Sequence, residues 1–210
     1  EDYHLGLWVT GKKVSNSWAH ADENSSVYEL KAYVENILKR LGLDLHNLVV
    51  GNLTDDIFAT ALSVHTKGGK RLASFGVVTK KLLKAFDIDN EVYYADLNWK
   101  ELMKAIKGNT VSYKEISKFP AVKRDLALLI DKKIQFAEIE KIAYETDKKL
   151  LKSVEVFDVY EGKNLEAGKK SYAVSFMLQD ENATLNDKQI DKFMQKLIGN
   201  LQNKLGAVLR

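Results

Sequence analysis

Apolar residues recur along this chain in two periods, and the switches between them predict its elements. Leu5, Leu7, Trp8 and Val9 make a short strand over 5–10, followed by a polar, turn-rich stretch from Gly11 to Ser17. Ser26 then opens a helix, with Glu29 at the spacing of a capping box. Leu30, Val34, Ile37, Leu38 and Leu41 lie on one helical face, and Gly42 stands where a terminating glycine belongs. Phe58, Thr60, Leu62 and Val64 alternate with Ala59, Ala61, Ser63 and His65, the period of a strand. Lys67-Gly68-Gly69-Lys70 turns the chain, so that Leu72 to Val78 returns as a second strand. A short helix over 80–86, a strand over 92–97 and a helix capped by Asn98 and reaching Ile106 complete this half.

Gly108 to Lys118 has little apolar periodicity and leads to Phe119 and the only proline, Pro120, which biases Phe119 toward an extended conformation. The reading is therefore of two domains, 1–109 and 120–210, with a linker over 110–119. After the linker the pattern is cleaner. Ala121 to Asp131 is a strand, and Phe136, Ile139, Ile142 and Ala143 share a helical face. Val154–Tyr160 and Ser171–Gln179 are strands. Asn186 and Gln189 cap a long helix carrying Ile190, Phe193, Met194, Leu197, Ile198, Leu201 and Leu205, which Gly206 ends before a last short strand. The order β-α-β-β-α-β is that of the ferredoxin-like fold, so the chain reads as α+β throughout.

Strand parity assigns faces. Phe157, Val159, Tyr172, Val174, Phe176 and Leu178 are bulky and suit the face covered by the two helices. Between them stand Asp158, Tyr160, Ser171, Ala173 and Ser175, and on the first strand Asp125 and Ala127 oppose Leu126, Leu128 and Ile130. That second face is small and polar, fit for water or for a flat partner.

Composition narrows the chemistry. The 210 residues hold 45% hydrophobic residues, enough for ordinary cores, and no apolar run approaches a membrane span. The chain opens at Glu1 directly in an apolar run, which reads as a piece of a longer protein. With no cysteine there is no disulfide framework, thiol nucleophile or cysteine-bound metal, as suits a reducing compartment. His4, His20, His46 and His65 show no paired ligand spacing, so no metal site is expected. A formal charge of +3 is no nucleic-acid footprint by itself. Lysines do cluster around the central hairpin of the second half: Lys148, Lys149, Lys152, Lys163, Lys169 and Lys170, offset by Glu155, Asp158, Glu161 and Glu166. Of these, Lys149, Lys163, Lys169 and Lys170 are candidates for a phosphate rim beside the open face, where Tyr160 can stack on a base.

Several ordered motifs go further. F-P-A-V-K-R-D-L-A-L-L-I (Phe119 to Ile130), S-V-E-V-F-D-V-Y-E-G (Ser153 to Gly162), G-K-K-S-Y-A (Gly168 to Ala173), T-L-N-D (Thr184 to Asp187) and G-A-V-L-R (Gly206 to Arg210) span the second half. Together they resemble the ferredoxin-fold anticodon-binding domain of bacterial phenylalanyl-tRNA synthetase β subunits. Upstream, L-K-A-Y-V-E-N-I-L-K-R-L-G (Leu30 to Gly42) and Gly76 in S-F-G-V-V resemble the end of that subunit's catalytic-like module.

The resemblance implies a class II synthetase-like antiparallel sheet in residues 1–109, without chemistry of its own, packing on a catalytic α subunit within an α2β2 assembly. None of Arg40, Arg71, Arg124 and Arg210 lies in an arginine-x-glutamate pair or a glycine-rich arginine motif of the kind class II sites use on ATP. No catalytic residue or cofactor is expected in this chain, ATP and magnesium belonging to the whole ligase, and the implied location is cytoplasmic. The second half would bind the anticodon of tRNA(Phe), its first base meeting Ala127, Asp158, Tyr160 and Ser171. Two rivals remain open: a ferredoxin-like small-molecule regulatory module, since fold does not fix function, and a purely structural scaffold.

Overall fold

The structure, a computed structural model, describes residues 1–113, 115–162 and 165–210. It divides into two compact units, Glu1–Tyr113 and Lys114–Arg210.

In the first unit the strands are β1 (His4–Thr10), β2 (Lys12–Val14), β3 (Glu23–Asn24), β4 (Leu48–Leu53), β5 (Phe58–Thr66), β6 (Arg71–Val78) and β7 (Val92–Asn98). The helices are α1 (Val27–Arg40), α2 (Lys80–Ala85) and α3 (Trp99–Ile106). A five-stranded antiparallel sheet runs β1-β7-β6-β5-β4, and β2 pairs with β3 apart from it. Leu30, Val34 and Leu38 of α1 and Leu102 of α3 share a core with Ala73, Phe75, Ala95 and Leu97, the inward parity of β6 and β7, and with Leu72, the extra residue of β6 at its register shift against β5.

One local expectation changes. Ser26 is the N-cap of α1 in extended conformation, but its side chain makes no capping bond. Glu29 instead accepts the Tyr33 hydroxyl at 2.7 Å, one turn on, so the reciprocal box does not form. The edge strand β4 had no period-two signal, because Leu48, Val49 and Val50 are consecutive and the latter two stay exposed.

Gly76 is demanded by close approach. A Cβ there would lie 2.2 Å from the Thr60 carbonyl oxygen and 2.7 Å from Ala61 Cα, where β5 bulges past β6. Both are backbone atoms, which cannot rotate away. Gly76→Ala is therefore expected to destabilise the unit by ~1–3 kcal/mol, the usual cost of overpacking, read as a lower midpoint in denaturant unfolding.

The second unit contains β8 (Val122–Asp131), α4 (Phe136–Thr146), β9 (Leu151–Tyr160), β10 (Lys169–Leu178), α5 (Asp187–Leu205) and β11 (Val208–Leu209). Its antiparallel sheet runs β11-β8-β10-β9. Phe176, Val174 and Leu178 of β10 meet Ile139, Ile142, Phe193, Leu197 and Leu201 in one core, which leaves the other sheet face free of helices. Asn186 and Gln189 form the reciprocal cap of α5, and Gly206 ends it in the left-handed conformation at φ 62°. Lys204 reaches Glu145 at 2.8 Å, tying α5 to α4, and its hydrogen bond holds that carboxyl below the ordinary carboxylate value. The pair thus contributes stability at neutral pH that is lost as the pH falls through the depressed value.

Between Ile106 and Val122 the described residues hold no helix or strand, and Val111, Tyr113 and Ile116 are exposed. Phe119 already belongs to the second unit, since its carbonyl accepts from Gln179 at 2.7 Å. Limited proteolysis is expected to cut before Phe119 and leave a stable piece of roughly 90 residues. Early cuts within β8–β11 would contradict the division.

Candidate nucleic-acid interface

Pairing register builds the helix-free face row by row. Ser171 pairs with Tyr160 on one side and Leu129 on the other, and Leu129 pairs with Val208. In the next row Ala173 sits between Ala127 and Asp158. The Arg210 N–H donates to the Ala127 carbonyl at 3.0 Å, extending this row past β11. Below lie Asp125, Ser175 and Glu155, then Lys123, Met177 and Ser153. Sequence-predicted Ala127, Asp158, Tyr160 and Ser171 thus share two adjacent rows on one face.

Their surroundings suit a planar guest. Tyr160 is 38% exposed, and the Arg210 guanidinium crosses the sheet to lie 5.9 Å from its ring centroid. Ala127 and Ala173 form a floor without bulk. Among the described residues neither the Asp158 carboxylate nor the Ser171 hydroxyl has a hydrogen-bond or ion-pair partner; Asp158 is exposed, whereas Ser171 is only 7% exposed. Gly162 lets the tyrosine settle, since a Cβ there would fall 2.3 Å from the Tyr160 hydroxyl oxygen.

The lysine rim is largely redistributed. Lys170 is only 8% exposed and its Nζ lies 4.7 Å over the Tyr172 ring, on the face that packs against the helices. Adjacent residues of a strand point to opposite faces, so a neighbour of Ser171 cannot share its face. Lys149 precedes β9, at the far end of that strand from Tyr160, about 30 Å away at the usual rise per residue. There its N–H bonds the Asp147 carboxylate at 2.9 Å. Lys163 lies outside the described residues. Of the three that the structure describes, only Lys169 keeps the parity of Ser171, beside Asp131.

Phe157 also departs from the parity reading, whereas Val159 keeps to it. Register slips between Ala173 and Val174, where β9 carries one extra residue, Phe157. Phe157 is 59% exposed, and Lys123 from the helix-free face of β8 holds its ammonium 5.5 Å from the ring centroid. The ring is therefore on the open face. Val159 keeps its side opposite Tyr172 but remains half exposed at the strand's end. Arg210, Lys123 and Phe157 escaped the sequence reading. The signal for Arg210 was available in the terminal G-A-V-L-R, but only strand pairing shows it reaching Tyr160.

Residues 117–210 match the family model of the ferredoxin-fold anticodon binding domain. Residues 1–99 match the model described as the phenylalanyl tRNA synthetase beta chain CLM domain. Over its full length the chain is 87% identical to the phenylalanine–tRNA ligase β subunit of Bacteroides thetaiotaomicron. It is 50% identical to that of Porphyromonas gingivalis and 34% identical to that of Syntrophotalea carbinolica. The chain spans 26% of the length of each of these relatives. Within the matched residues 117–210, the open face is built from β8, β9, β10 and β11 alone. Among the described residues no helix is long and apolar enough to cross a membrane.

Proposed function

We propose that this chain is the anticodon-reading part of a phenylalanine–tRNA ligase β subunit and that the helix-free face of its second unit receives the anticodon loop of tRNA(Phe). The observation that carries this reading is the convergence of Tyr160, Ser171, Asp158 and Ala127 in two neighbouring rows of one helix-free sheet face. A splayed-out first anticodon base lies on the alanine floor against the Tyr160 ring, as RNA-binding sheets allow. The Asp158 carboxylate accepts from the ring N–H and amino group of a guanine, and Ser171 donates or accepts beside it. Arg210 places a permanent cation over the same spot, available to a base face or a phosphate. Residues 1–109 supply the end of a catalytic-like, class II-related module that packs on the α subunit of an α2β2 assembly. The small-molecule regulatory alternative is not favoured, because the high-identity homologues are ligase β subunits.

Titrating the 210-residue chain with tRNA(Phe) transcript and with a transcript altered at the first anticodon base tests the reading. Tighter binding of the unaltered transcript is expected, and equal affinities would contradict it. The chain alone, given ATP, phenylalanine and tRNA, is expected to show no aminoacylation until α subunit and full-length β subunit are added. Turnover by the chain itself would reject the division of labour.

A further inference from the structure

The bulged phenylalanine of β9 carries a consequence for how much RNA the face holds. Phe157 is a large aromatic left 59% exposed beside rows of the face that hold Asp158, Ala173, Ala127, Glu155, Ser175 and Asp125. The extra residue in β9 is what turns it there, since regular alternation would have put it against the helices. Its ring stands three residues from Tyr160, about 10 Å along the strand. Lys123 lies 5.5 Å from the ring centroid and 3.9 Å from Asp125, whose carboxylate also accepts from Ser175 at 2.7 Å. The face therefore presents two exposed rings, each with a cation beside it: Tyr160 with Arg210 and Phe157 with Lys123.

We propose that Phe157 is a second stacking platform, which takes the base next to the one on Tyr160, with Lys123 facing the phosphate that joins the two nucleotides. The inference rests on the anticodon reading of the same face. Two rings on one sheet match the way single-stranded RNA lays successive bases on aromatic side chains. The cations match its backbone, and Asp158 between the rings keeps its base-reading role.

The test replaces the second anticodon base of an anticodon stem-loop RNA by the fluorescent 2-aminopurine and titrates it with the 210-residue chain and its variants. Stacking on Phe157 quenches the probe. Phe157→Ala is expected to relieve the quench and weaken binding about ten-fold, while Phe157→Trp preserves both. Being exposed, the residue can be changed without emptying a core, and circular dichroism verifies that each variant is folded. Tyr160→Ala is the reference. If Tyr160→Ala loses binding while Phe157→Ala keeps full affinity and quench, the second platform is overturned and the anticodon reading stands. If neither variant changes anything, the anticodon reading fails and the second platform with it.

Discussion

Phe176→Ala is expected to be the most damaging single change in the second unit. Phe176 is fully buried at the centre of β10, between the sheet and both helices, in the core that holds Ile139, Phe193 and Leu197. Truncating a buried phenylalanine removes its transfer free energy and leaves a cavity that rigid neighbours fill only in part, at ~3–5 kcal/mol. Denaturant unfolding should show the second unit's transition shifted by that amount and the first unit's transition unmoved. A change below ~1 kcal/mol would mean that the site collapses freely, contrary to close packing in such cores. RNA binding should fall only where this variant is partly unfolded, because Phe176 faces away from the proposed anticodon surface.

Tyr160→Ala should do the reverse, leaving the fold intact and weakening tRNA(Phe). The ring is partly exposed on the edge strand and fills no core, yet a lost base–aromatic stack typically costs ~1–3 kcal/mol. Affinity should drop about ten-fold or more, with the denaturation midpoint near that of the unsubstituted chain. Asp158→Ala should act on discrimination: it deletes an acceptor rather than an attraction for phosphate, so the gap between matched and altered anticodons should narrow. Lys12→Ala, in the other unit, should change neither quantity. Wild-type binding by both Tyr160→Ala and Asp158→Ala, with the fold retained, would show that the surface has been misplaced.

Much of this architecture was legible from residue spacing alone. The second unit reads cleanly because its strands alternate and its long helix keeps apolar residues at helical spacing between a capping pair and Gly206. The four proposed base contacts fell on one face because each lies where period-two counting holds. Counting failed at the bulge, where one extra residue moved Phe157 across the sheet while leaving Asp158 and Tyr160 in place. It was not applied to Lys170, whose chain neighbour Ser171 lies on the opposite face. Arg210 reaches Tyr160 only through the pairing of β11 with β8, a contact between distant segments that local pattern does not encode. In the first unit, β4 and the β2–β3 pair were missed because their stabilisation comes from partners rather than from alternation.

The most direct measurement of where RNA lies is a backbone chemical-shift map of the isotope-labelled chain titrated with the anticodon stem-loop of tRNA(Phe). The account predicts that the largest changes fall on Ala127, Asp158, Tyr160, Ser171, Ala173 and Arg210, with the outward faces of α4 and α5 silent. Changes concentrated on those helices, or on the five-stranded sheet of the first unit, would contradict it.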